Sequence, residues 1–189
     1  MIIFFDTEFT QLSKDGELIS LGMITDRGSV FYAEFTDFST ELLTDWHYEN
    51  VIKNLANKCI PKKLTIRRDG TNVSMSGTKE EVREELLTWL NGFNQDIQLV
   101  SDVCHYDFML FIDIFGTAFD LPECISPYCI DINQEISKAL KITNKEAFDV
   151  DRDDFVENGT ENISIAKHNA LWDAKVIRDI YNTINCKLK

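Results

Sequence analysis

The 189-residue chain is 44% hydrophobic and 11% aromatic, enough for one buried core, and it carries a formal net charge of −13. No apolar run approaches the roughly 18 residues of a membrane helix. The apolar start, Ile2 to Phe5, stops at Asp6 without a basic leader or a small-residue cleavage site. The expectation is a soluble cytoplasmic protein, a single domain over 1-189, with no membrane contact.

Taken in chain order, Ile2–Asp6 reads as a buried strand that ends on acids. Glu17–Thr25 and Ser29–Phe35 read as two more strands, joined by a short turn at Asp26–Gly28, so the first three form an antiparallel meander. Glu41–Leu55 is predicted helical, with Trp46, Val51 and Leu55 as its apolar residues. Leu64–Arg68 and Val73–Met75 flank Asp69–Gly70, the pattern of a small inserted hairpin near 62-76.

Thr78-Lys79-Glu80-Glu81 is a capping box, and Val82, Leu86, Trp89, Leu90 and Phe93 form one stripe behind it. Ile97–Ser101 is a buried strand, Asp107–Phe115 an apolar helix, and Tyr128–Ile132 a strand followed by a helix to about Leu140. Lys145 to Glu161 is rich in Glu, Asp and Asn and reads as an acidic loop near 145-161. Asn169–Ile184 is the last helix. Antiparallel strands first, then alternating strand and helix, predict an α/β mixed sheet flanked by helices.

The five cysteines are scattered and odd in number, which argues against a disulfide framework. Cys124 and Cys129 with the Cys104–His105 pair offer zinc-ligand chemistry, but no C-x-x-C spacing supports a site and the cysteines read as ordinary buried thiols. The charge is uneven. Residues 51–68 carry Lys53, Lys58, Lys62, Lys63, Arg67 and Arg68 and no acid, while the rest of the chain holds 13 basic and 32 acidic side chains. A basic patch on an acidic body and a solvated loop are both consistent with that run.

Asp6 and Glu8 stand at i and i+2, on one face of the first strand. Two such carboxylates repel and raise each other's pKa unless a cation lies between them. Oxygen ligands of this kind favour Mg2+ or Mn2+. Alone, D-x-E is also a common polar strand end. Asp107 opens an apolar helix, where an acid can be no more than a dipole partner, and Asp102 is a competing acid nearby. His168 and Asp173 are five residues apart, so they converge only if His168 stands at the helix entrance, with Asn169 capping it, and Asp173 one turn in. A histidine there is a candidate general base.

The ordered set, D-x-E on strand one, an acid opening a helix about 100 residues later and H-x4-D at the last helix, resembles the DEDDh 3′→5′ exonucleases. Phe4-Phe5-Asp6-Thr7-Glu8-Phe9, Glu17-Leu18-Ile19-Ser20-Leu21-Gly22 and Trp46 with Glu49-Asn50-Val51 are similar to the small bacterial exoribonucleases of the mycobacterial RNase AS type. The chain departs from the common His-Asn-x-x-Phe-Asp pattern: Asp102, Val103 and Tyr106 replace the His, Asn and Phe.

The resemblance implies an RNase H-like fold. It implies that Asp6, Glu8, Asp107 and Asp173 hold two divalent ions, Mg2+ or Mn2+, and that His168 acts as general base. It also implies 3′→5′ release of nucleoside 5′-monophosphates from single-stranded nucleic acid, RNA rather than DNA, and a homodimer as the assembly. Phe9 and Leu12 are candidates to pack on the terminal base, and Lys62, Lys63, Arg67 and Arg68 to grip the substrate. A DNA exonuclease, a catalytically silent binding module and a chance match on a plain α/β domain are the rival readings.

Overall fold

The computed structural model describes residues 1–57, 63–155 and 167–187. Its centre is a seven-stranded mixed sheet in the order β4-β5-β3-β2-β1-β6-β7. The strands are β1 (Ile2–Phe9), β2 (Leu18–Thr25), β3 (Val30–Phe35), β4 (Thr65–Asp69), β5 (Asn72–Gly77), β6 (Ile97–Ser101) and β7 (Ile125–Asp131). β1, β2 and β3 pair antiparallel, and β6 and β7 then join parallel to β1, the mixed sheet expected from the RNase H-like resemblance.

β1 is apolar on both faces because both faces are covered. Ile3 and Phe5 point into a core with α2 (Lys79–Asn91) and α3 (His105–Phe115). Phe4 points the other way, into a second core with α4 (Ile132–Leu140), α5 (Asn144–Asp149) and α6 (Ala170–Lys187). Each fully buried Ile, Leu or Phe contributes roughly 1.5–3 kcal/mol, so the two layers lock β1 from both sides. Among the described residues, no helix is long and apolar enough to cross a membrane.

Several elements differ from the sequence reading. β1 runs to Phe9 rather than ending at Asp6, because β2 keeps pairing with it through Leu18. Only α1 (Asp45–Asn50) and two short 3-10 turns form in the predicted helix Glu41–Leu55. There the Thr44 N–H donates to His47 Nδ1 at 3.0 Å and starts the helix late. The Asn50 and Asn54 side chains then donate back to the carbonyls of Trp46 and Asn50. Trp46 is 50% exposed, not a core residue.

α3 begins at His105, two residues before the predicted start, and β7 begins at Ile125. The expected hairpin forms, but β5 also pairs parallel with β3 and extends the sheet. The predicted acidic loop contains α5, opened by a Thr143–Glu146 capping box, and a 3-10 turn at Arg152–Phe155. Residues 156–161 of that loop lie outside the described residues.

Candidate active site

Asp6 and Glu8 leave the same face of β1, toward α6, with Gly22 and Ser20 opposite them on β2. Gly22 is the reason α6 reaches this face. A Cβ there would stand 2.2 Å from the Leu171 nitrogen and 2.4 Å from the Ala170 oxygen, so only glycine lets the helix entrance touch the strand. That contact delivers Asp173. One carboxylate oxygen each from Asp6, Glu8 and Asp173 lie within 4.8 Å of one another.

His168 stands just before α6 in the left-handed region, at φ 64°. Its N–H donates to Asp173 Oδ2 at 3.0 Å, and Asn169 Oδ1 caps the helix by accepting from the Trp172 N–H at 3.2 Å. The His168 ring meets the edge of Trp46 with centroids 5.1 Å apart.

Asp107 comes from the opposite side of the sheet. β1 outruns β6, which leaves the Thr7 N–H without a strand partner. Asp107 Oδ1 accepts from Thr7 N at 3.0 Å and from Thr7 Oγ1 at 2.5 Å, while Oδ2 accepts from Ser101 Oγ at 2.8 Å. Its rival Asp102 is committed elsewhere. Both Asp102 oxygens bond the Arg152 guanidinium, at 3.0 and 3.2 Å, and Oδ1 also accepts from Asn133 Nδ2 at 2.7 Å.

The acids crowd into low dielectric, where Lys167 offsets part of the charge at Asp173. Burial, reinforced by Asp107, Asp173 and Glu8, pushes the Asp6 carboxyl well above its usual range. Burial followed by the charges of Asp173 and Asp107 pushes Glu8 up to about 8. Burial raises Asp173 to about 7 against the opposing hydrogen bond from the His168 backbone. It raises Asp107 to about 6 against bonds from Thr7 and Ser101. A divalent cation among these oxygens reverses every one of those shifts, and an all-oxygen donor set suits a hard ion such as Mg2+ or Mn2+. Burial, aided by Lys167, lowers His168, which keeps its imidazole neutral and able to accept a proton near pH 7.

The acids and His168 line a cleft of about 1020 Å³. Phe9 and Leu12 also line it, with Leu12 67% exposed at the mouth. Lys63, Arg67 and Arg68 do not. They belong to β4 and its approach, four strands and about 19 Å from β1, and Arg68 is paired with Glu85 at 2.5 Å. Lys62 lies outside the described residues. The sequence reading missed Gly22, His47, Arg152 and the exposure of Trp46. A tryptophan inside the polar run Asp45-Trp46-His47-Tyr48-Glu49-Asn50 was the available signal, because such a helix has no apolar face to bury it.

In sequence, the chain is 26% identical over 135 residues to the 3′-5′ exoribonuclease Rv2179c of Mycobacterium tuberculosis strain ATCC 25618 / H37Rv, covering 71% of this chain and 73% of that protein. The 3′-5′ exoribonuclease MT2234.1 of strain CDC 1551 / Oshkosh matches with the same figures. In structure, the chain is similar to the nuclease domain of 3′hExo, a DEDDh family member solved bound to rAMP. The TM-score there is 0.64, with 14% identity, 95% of this chain and 88% of that chain covered. The fold is that of a DEDDh nuclease domain. A 3′-exonuclease solved in recognition of a histone mRNA stem-loop gives the same TM-score of 0.64, at 11% identity over 98% of this chain and 63% of that one. No family model matches the sequence. The resemblance to DEDDh exonucleases therefore rests on the ordered motifs, the relatives and the fold together.

Proposed function

We propose that this protein is a metal-dependent 3′→5′ exoribonuclease that removes nucleoside 5′-monophosphates from single-stranded RNA. The observation that carries the reading is the convergence of Asp6, Glu8 and Asp173 within 4.8 Å, with His168 bonded to Asp173 beside them. Asp6, Glu8, Asp107 and Asp173 would hold two divalent ions, Asp107 reaching the cleft from α3 while it also accepts from Thr7. When bound, the ions offset the carboxylate charge and polarise the scissile phosphate. His168 accepts a proton from the attacking water at a ring nitrogen. The water oxygen bonds to phosphorus, the P–O3′ bond breaks, and the departing O3′ takes a proton from solvent to leave the shortened chain with a 3′-hydroxyl.

The rest of the cleft supports a single strand as substrate. Leu12, Trp46, Tyr106 and Phe148 line it and are 47–67% exposed, and unpaired bases stack on such side chains. Arg152 is not free to grip phosphate. Its Nε bonds Asp102, its Nη1 the carbonyls of Ala147 and Val150, and its Nη2 both Asp102 and Asn133, which uses all five donors.

RNA is favoured over DNA by the two sequence relatives named exoribonucleases. Matched 3′-labelled and 5′-labelled RNA and DNA oligonucleotides with Mg2+ or Mn2+ test the reading. Stepwise 5′-monophosphate release from RNA supports it. Faster release from DNA selects the DNA exonuclease, and binding without cleavage selects the silent module.

A further inference from the structure

The junctions after β6 and β7 bring a second set of donors together, of a different chemical kind. β7 carries Cys129 and Asp131 at alternate positions, so both side chains leave one face of the strand. β6 lies parallel beside it, with Ser101 opposite Asp131, and the chain leaving β6 supplies Cys104 and His105. Cys104 Sγ, a His105 ring nitrogen and an Asp131 carboxylate oxygen lie within 4.8 Å of one another. Cys104 Sγ also donates to the Cys129 carbonyl at 3.9 Å, which sets that residue beside the trio, while the Cys129 Sγ donates to the Ile130 carbonyl at 3.6 Å, and both cysteines are free thiols. C-x-x-C spacing is absent because the pairs come from neighbouring strands rather than from one loop.

We propose that Cys104, His105, Cys129 and Asp131 form a binding site for a zinc-type divalent transition-metal ion, separate from the carboxylate cluster. Two sulfurs and an imidazole select zinc or cobalt over magnesium, whereas the acids on β1 and α6 select the reverse. Metal–ligand distances of about 2.0–2.3 Å place tetrahedral ligand atoms about 3.5 Å apart, so Cys104, His105 and Asp131 need to close by about 1 Å and the Cys129 thiol to turn in from the Ile130 carbonyl. His105 is exposed and Cys104 half-buried, so side-chain rotation suffices. Asp131 Oδ1 already caps α4 by accepting from the Asn133 N–H at 2.9 Å and from Asn133 Nδ2 at 2.9 Å, so the proposal gives Oδ2 to the ion. An ion here ties the start of α3 to the end of β7. Cys104 follows Asp102 by two residues and His105 precedes Asp107 by two, so occupancy stiffens the segment that presents the third acid of the cleft.

The test uses the full chain, kept reduced with a phosphine, stripped by chelation and titrated with Co2+ and then Zn2+. One equivalent of Co2+ is expected to give a thiolate-to-cobalt charge-transfer band that one equivalent of Zn2+ abolishes. Zn2+ is expected to raise the unfolding midpoint by about 5 °C. Cys104→Ser and Asp131→Asn should each weaken the binding at least about tenfold, with metal-free unfolding midpoints unchanged to show that both variants fold. Asp6→Asn and Asp173→Asn should keep the band. No charge-transfer band in the wild type, its persistence in the double variant Cys104→Ser with Cys129→Ser, or its loss in Asp6→Asn overturns the proposal. So does intact-mass evidence that Cys104 and Cys129 instead join as a disulfide. None of these outcomes bears on Mg2+-dependent RNA cleavage, so the nuclease reading stands or falls separately.

Discussion

Two acidic regions lie side by side at the mouth of the cleft and meet the same electrostatic problem in opposite ways. Asp102 is neutralised within the chain by Arg152 and Asn133, and that network ties α5 and the following turn to the end of β6. Asp6, Glu8 and Asp173 are packed together with no ion pair among the described residues, Lys167 only partly offsetting the charge at Asp173, and are held in a costly, proton-seeking state. The first arrangement is complete without a ligand and therefore structural. The second has no such network and would be completed by a cation.

The largest effect expected from that contrast is on turnover. Asp6→Asn or Asp173→Asn should lower Mg2+-dependent hydrolysis about a thousandfold or more while raising the metal-free unfolding midpoint, since a repelling charge is removed. Turnover near wild type would break the comparison at its centre. Next, Arg152→Met strands Asp102 in a part-buried site and should cost about 2 kcal/mol in denaturant unfolding. A loss below about 0.5 kcal/mol would mean the pair is a surface contact only.

The third effect is on pH. Folded-state pKa values of about 8 for Glu8 and about 7 for Asp173 lie above their ordinary values. The folded chain therefore holds those protons more tightly than the unfolded chain does. This contribution is fully present below about pH 4 and is lost as pH rises through about 7 to 8. Metal-free protein should melt at lower temperature at pH 8.5 than at pH 6, and saturating Mg2+ should flatten the difference. A metal-free midpoint that rises over that range would refute the sign.

The smallest effect concerns Val103, which joins the two regions. Its φ of 50° is left-handed, a poor conformation for a β-branched residue and a tolerable one for the asparagine found there in the resembling pattern. Val103→Asn should stabilise by about 1 kcal/mol with no change in activity. A destabilised variant would show that the valine side chain holds the junction by packing.

Much of this was legible in the chain. Alternation and apolar runs mark the strands, and the His168–Asp173 spacing states its own condition, an entrance histidine with Asn169 as cap. The capping signature was read at Thr78–Glu81 but not at Thr143–Glu146, where the surrounding acidic composition masked an identical pattern. The choice between Asp107 and Asp102 was not legible from spacing, because it depends on Thr7 and Arg152, distant by 100 and 50 residues. The position of the basic run was not legible for a related reason: linear charge density does not say that Arg67 and Arg68 stand on β4, at an edge of the sheet.

Gly22 has a consequence for how the acids tolerate change. The gap between β1's pair and Asp173 is gauged where main chain rests on main chain at Gly22, in addition to the apolar packing of α6 on Phe4. Substitutions in either hydrophobic layer can loosen the molecule while this gauge keeps its setting. The chemistry then drifts more slowly than the stability, and the layers around it are free to vary.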